Sequence, residues 1–135
     1  MKNYTPRALI VDDDLVVSRL MKRCLSRWGW EADESHTVSA ALGLFQQGRY
    51  DLALCDIDLP DGNGISLAKA LSKTKPLLRV VMVSGSPANV RLARGAGFDR
   101  CLHKPFELNE LKALIDTPTA VMRRARSLRH NRNST

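Results

Sequence analysis

Cysteine is scarce in this 135-residue chain: Cys24, Cys55 and Cys101 are its complement. An odd number at wide spacing fits neither a disulfide framework nor a zinc site, and leaves small buried thiols of a reducing cytosol. Long hydrophobic runs are also missing, and no stretch approaches the length of a membrane span. The opening Met1 to Arg7 leads into only four apolar residues, too few for a secretory signal. Internal repeats and low-complexity blocks are absent before residue 117. From there to residue 135 acids are absent. Arg123, Arg124, Arg126, Arg129 and Arg132 take five of the seven net positive charges and leave +2 on the first 116 residues. The basicity therefore belongs to the tail and gives no ground for treating the globular part as a nucleic-acid binder.

The chain has the length of one domain with a self-sufficient core, and its 44% hydrophobic content is that of a globular protein. Continuous apolar runs at 8–11, 52–55 and 80–83, each bounded by turn residues, predict strands buried on both faces of a parallel sheet. Helical patterns lie between them. Val17, Leu20, Met21, Cys24, Leu25 and Trp28 keep one apolar face until Gly29, with Trp28 and Trp30 packing near that helix's end. Thr37 caps a second helix bearing Val38, Ala41, Leu42 and Phe45, which Gly48 closes. Ile65, Ala68 and Leu71 mark a third, and Leu108, Leu111, Leu114 and Ile115 the last. Two elements are fainter: a short, polar edge strand at 31–35 and a lightly packed helix at 87–95. A fifth strand is expected at 98–102. Strand then helix, five times over, demands right-handed crossovers and a three-layer α/β sandwich.

The chemistry is concentrated at strand ends. Asp12, Asp13 and Asp14 follow the first run, Asp56 the second long run, Ser84 the next, and Lys104 the last strand. Adjacent carboxylates repel by about 4 kcal/mol per unit pair at 4 Å in a surface-like dielectric, and a cation relieves that cost. In an open parallel sheet, ligands bind beyond the carboxyl ends of the strands. The set describes a site for a divalent metal and a phosphoryl group. Asp12, Asp13, Asp56 and the backbone carbonyl of Asp58 would take Mg2+, or Mn2+ in its place. Asp56 keeps one oxygen as a nucleophile, Lys104 sets a cation against the developing charge, and Ser84 and the Gly85 amide receive phosphoryl oxygens. Asp14 is expected only to cap the helix. Pro60, Gly62 and Gly64 turn the chain away after Asp56, and Lys104-Pro105 is a candidate cis peptide. His36 and His103 are expected to be a loop and a surface residue. Asp58 is either a modulator of phosphoryl hydrolysis or a plain surface acid.

These residues bring the chain to a known family. Val11-Asp12-Asp13-Asp14, Asp56 with Pro60 four on and Gly64 eight on, Ser84-Gly85 and Lys104-Pro105-Phe106 resemble the chemotaxis-receiver-like receiver domain of two-component response regulators. The resemblance covers about 7 to 115. It implies a flavodoxin-like (βα)5 fold with a parallel five-stranded sheet of order 2-1-3-4-5. It implies Asp56 as phospho-acceptor, Asp12 and Asp13 as the metal pair, Ser84 as the switch hydroxyl and Lys104 as the phosphoryl-contacting lysine. The implied donor is a phosphohistidine on a sensor histidine kinase or a histidine phosphotransfer protein, and the implied output is a downstream protein effector. The product is a cytoplasmic switch, monomeric or dimerising on phosphorylation, that catalyses only its own phosphorylation and dephosphorylation. Members that signal through a rotating aromatic carry it three residues before the lysine, where this chain has Cys101.

The domain is expected to end at 116 and a tail to follow at 117–135. There Val121, Met122, Ala125 and Leu128 fall at roughly helical spacing. The tail is a solvated end or a basic amphipathic helix that grips an acidic surface or nucleic acid. Nineteen residues cannot form a helix-turn-helix output domain, so the sequence describes a stand-alone receiver or one whose effector is another chain; direct DNA binding and membrane association are not expected. Two other functions compete. Asp56-x-Asp58 imitates the Asp-x-Asp of phosphatases resembling haloacid dehalogenases, although that motif follows their first strand, lacks a preceding acid pair and needs a cap region. A phosphorylation-independent interaction module of the same fold is the third reading.

Overall fold

The computed structural model describes residues 4–117, so the expected tail lies outside the described residues from 118 on. The chain alternates β1 (Arg7–Val11), α1 (Leu15–Arg27), β2 (Glu31–Ser35), α2 (Val38–Gln47) and β3 (Leu52–Asp56). A two-residue hairpin follows, β4 (Asp58–Leu59) and β5 (Gly62–Asn63), then α3 (Gly64–Thr74), β6 (Arg79–Ser84), α4 (Pro87–Gly95), β7 (Cys101–His103) and α5 (Leu108–Asp116). The main sheet is parallel throughout, in the order β2-β1-β3-β6-β7. With the hairpin set aside, that is the flavodoxin-like 2-1-3-4-5 order.

The apolar runs divide their residues between two cores. Leu9, Val11, Ala53, Cys55 and Met82 face α2, α3 and α4, where Ala41, Leu67, Ala68, Leu71 and Ala93 meet them. Ile10, Leu52, Leu54, Val81 and Val83 point the other way, against Met21 and Leu25 of α1 and Leu111 and Ile115 of α5. Alternate residues face opposite sides of a strand, so a strand covered on both sides must be apolar at every position. Trp28 and Trp30 pack against the second core, as expected.

Helix boundaries follow their caps. Asp14 accepts from the amides of Val16 and Val17, and Thr37 from that of Ala40. The last strand differs from expectation: it occupies Cys101–His103 rather than 98–102. The end of α4 explains the shift. Gly97, at φ +100°, turns the chain in a conformation that suits glycine, and the Phe98 amide bonds back to the Ala93 carbonyl at 3.1 Å. Phe98 is therefore committed to closing the helix before the strand begins. Helix α4 packs lightly, with Ala93 as its buried residue.

Candidate functional site

Parallel strands deliver their carboxyl ends to one edge, and the sequence places its polar groups there. Asp12 and Asp13 follow β1, Asp56 ends β3, Ser84 ends β6 and Lys104 follows β7. Asp12, Asp56 and Ser84 are buried, at 0%, 6% and 0% exposure, whereas Asp13 is exposed. Lys104 Nζ lies 2.9 Å from Asp12 Oδ2 and 3.1 Å from Asp56 Oδ2. Its backbone amide donates to the Ser84 carbonyl at 2.8 Å, which fixes the lysine over the crevice. The Lys104-Pro105 peptide is cis.

One ammonium lies between two buried carboxylates. Burial raises the Asp56 carboxyl above its usual range; the Asp12 charge adds to that rise, and Lys104 opposes it. Burial alone would lower Lys104, but the hydrogen bond and charge of Asp12, followed by those of Asp56, hold it above its ordinary value. Carboxylate oxygens of Asp12, Asp13 and Asp56 lie within 4.8 Å of one another. Asp12 Oδ2 is enclosed, with the Lys104 ammonium 2.9 Å away as its neighbour. A buried carboxylate oxygen grouped with those of two further acids suits a hard divalent cation with oxygen ligands.

The surrounding chain holds this geometry. Asp12 Oδ1 accepts from the Asp14 amide at 2.9 Å, and the His36 ring donates from Nδ1 to the Asp12 carbonyl at 2.9 Å. His36 is thus a half-buried brace for Asp12, beyond the loop residue expected, while His103 is exposed as expected. Asp56 Oδ1 accepts from the Asp58 amide at 3.1 Å. A Cβ on Gly64 would stand 1.9 Å from the Asp56 carbonyl oxygen, so only glycine lets α3 start this close to the acceptor strand. Gly85 is exposed and has open space where a side chain would stand.

Three groups around the site carry no expectation from sequence. Asp61 accepts from the amides of Val38 and Ser39 at 2.7 and 3.1 Å, tying the hairpin to the start of α2. Ser86 caps α4 through the Asn89 amide, and its own amide donates to Ser84 Oγ. Asn89 donates to the Asp58 carboxylate at 3.1 and 3.0 Å. The Ser86-Pro87 pair is a legible helix start; the Asn89 and Asp61 contacts join residues 31 and 23 positions apart. The Asp58 side chain is exposed and engaged by Asn89 rather than joining the acid trio, which removes the Asp-x-Asp pairing of the phosphatase reading. Cys101 is buried, with Sγ donating to the Phe98 carbonyl at 3.2 Å, and burial pushes its thiol up.

The family model of the response regulator receiver domain matches residues 8–116. The chain belongs to this family. The receiver is 35% identical over 119 residues to the uncharacterized transcriptional regulatory protein YcbL of Bacillus subtilis, covering 87% of this chain and 51% of that protein. It thus spans about half the length of that curated relative. Among solved structures it resembles the response regulator protein TrrA of Thermotoga maritima in complex with Mg(2+)-BeF. That match has 30% identity and a TM-score of 0.74, over 82% of this chain and 96% of that one. A response regulator protein from Burkholderia pseudomallei with a phosphorylated aspartic acid, calcium ion and citrate is also similar. There the identity is 25% and the TM-score 0.75, over 92% of this chain and 74% of that one. The receiver fold and its place in two-component signalling are those the motifs implied. No helix among the described residues is long and apolar enough to cross a membrane.

Proposed function

We propose that Asp56 accepts a phosphoryl group from a phosphohistidine on a sensor histidine kinase or phosphotransfer protein, and that the modified receiver changes its binding to a downstream protein effector. The observation that carries this is the meeting of Asp12, Asp13, Asp56 and Lys104 at one edge of the sheet, with Ser84 beside them. Asp12, Asp13, one oxygen of Asp56 and the Asp58 carbonyl would hold Mg2+ or Mn2+, which supplies charge neutralisation for the phosphoryl oxygens.

The free oxygen of Asp56 forms a bond to phosphorus as the phosphorus–nitrogen bond of the phosphohistidine breaks. The imidazole leaves with that bond's electron pair and takes up a proton. Lys104 stabilises charge on the transferring group, the Ser84 hydroxyl donates to another oxygen, and the Gly85 amide would donate to a further one. That TrrA is known in complex with Mg(2+)-BeF, and the Burkholderia protein with a phosphorylated aspartic acid, supports the assignment. Hydrolysis of the acylphosphate returns the switch, so its chemistry is its own phosphorylation and dephosphorylation. A cytosolic place of action agrees with three free cysteines.

The test is incubation with acetyl phosphate or phosphoramidate and Mg2+, followed by intact mass. One added phosphoryl group in the wild type and none in Asp56→Asn is expected. An unmodified wild type, or equal modification of the variant, overturns the assignment, and multiple turnover of p-nitrophenyl phosphate would instead indicate a phosphatase.

A further inference from the structure

Hydrogen bonds form a closed ring through the site and the start of α4. Asp56 Oδ1 accepts from the Asp58 amide at 3.1 Å, and the Asp58 carboxylate from Asn89 Nδ2 at 3.1 and 3.0 Å. The Asn89 amide donates to Ser86 Oγ at 3.2 Å, and the Ser86 amide to Ser84 Oγ at 3.0 Å. The Ser84 carbonyl accepts from the Lys104 amide at 2.8 Å, and Lys104 Nζ returns to Asp56 Oδ2 at 3.1 Å.

The two ends of the Asp58–Asn89 link are held very differently. The hairpin carrying Asp58 is fixed to α2 by the two amide bonds of Asp61. Helix α4 buries Ala93, and Leu92 is 62% exposed. Cys101, at the position where the family resemblance leads one to expect an aromatic coupler, has no ring to rotate and is committed to the Phe98 carbonyl. Communication between the site and α4 therefore needs another carrier.

We propose that Asn89 is a positioning residue: its link to Asp58 is a latch that holds α4 against the hairpin in the unmodified receiver and is opened by phosphorylation. The proposal rests on Asp56 as the phospho-acceptor. When the Ser84 hydroxyl turns to donate to a phosphoryl oxygen, its oxygen moves into the crevice and draws on the Ser86 amide. Ser86 is bonded to Asn89, so the pull passes into the first turn of α4 while Asp58 stays with α2. The phosphoryl group also adds negative charge near the Asp58 carboxylate, which itself is not free to follow α4. Both effects oppose the latch, which adds to the hold that Ala93 and Val90 give α4 on the core.

Amide hydrogen exchange over residues 87–95 of the full chain, without metal or phosphoryl donor, reads the latch directly. Asn89→Ala exchanges about threefold faster there than wild type, with α1 unchanged. Asn89→Asp sets two carboxylates face to face and exchanges faster than the double variant Asp58→Asn/Asn89→Asp, in which the two side chains have traded places and pair again. A residue serving only its own helix would show no such rescue. Equal rates for Asn89→Asp and the exchanged pair, or a wild-type rate for Asn89→Ala, overturn the latch. In the wild type, acetyl phosphate with Mg2+ raises exchange over 87–95 towards the Asn89→Ala rate. A phosphorylated receiver with unchanged α4 exchange overturns the coupling. A chain that takes up no phosphoryl group overturns it together with the reading of Asp56, a result intact mass reports separately.

Discussion

Helices α1 and α4 each follow a strand that feeds the site, yet one is built into the core and the other rests on it. Helix α1 has thirteen residues, buries Ser18, Met21, Cys24 and Leu25, and is capped by two bonds to Asp14. Helix α4 has nine and buries Ala93. Asp12 and Asp13, two of the acids that suit a metal, stand directly before the well-packed helix. Ser84, Ser86 and Asn89 stand on the more lightly packed side, where hydrogen bonds link the site to the first turn of a helix. Fixed chemistry on one side and an inexpensive displacement on the other are what a switch requires.

The contrast breaks most readily through the core. Leu25→Ala, at a fully buried position, is expected to cost about 3–4 kcal/mol in chemical denaturation, whereas Leu92→Ala in α4 should stay within about 0.5 kcal/mol. Similar costs for both would mean that α4 is as firmly held as α1. Gly64→Ala forces α3 away from Asp56 and should cost about 2–3 kcal/mol, with much slower phosphorylation by acetyl phosphate. Asp13→Asn sharpens the comparison from the other direction. Removing one exposed like charge should raise metal-free stability by about 1 kcal/mol while weakening Mg2+ binding in calorimetry.

The smallest effect concerns the hairpin's anchor. The amides of Val38 and Ser39 hold the Asp61 carboxyl below its ordinary 3.8, so its contribution to stability is present above that pH and lost as the pH falls through the lower folded value. Melting temperatures of wild type and Asp61→Asn should differ at neutral pH and converge in acid. A constant offset across that range would detach the effect from the carboxylate.

Most of the scaffold is legible in the sequence because its signals are local. Leu52–Asp56 is apolar up to its last residue because both of its faces are covered, and Thr37 and Gly48 bracket α2 by their own chemistry. The hairpin at 58–63 escapes because two-residue strands have no periodicity to detect. The strand at 101–103 is displaced because Phe98, apolar enough for a strand, is used to end a helix. At the site, Asp12, Asp56, Ser84 and Lys104 are legible since each marks the end of a recognisable strand. Asn89, Asp61 and His36 are not, because their partners are brought to them only by the folded sheet and its loops.

The acidic rim of β2 has a consequence for crowding. Glu31, Asp33 and Glu34 lie along an outermost strand whose far side meets no other strand among the described residues, with Arg7 pairing two of them from β1. Two molecules approaching rim to rim would bring like charges into register, so the hydrogen-bonding pattern ends at this border instead of templating fibrils.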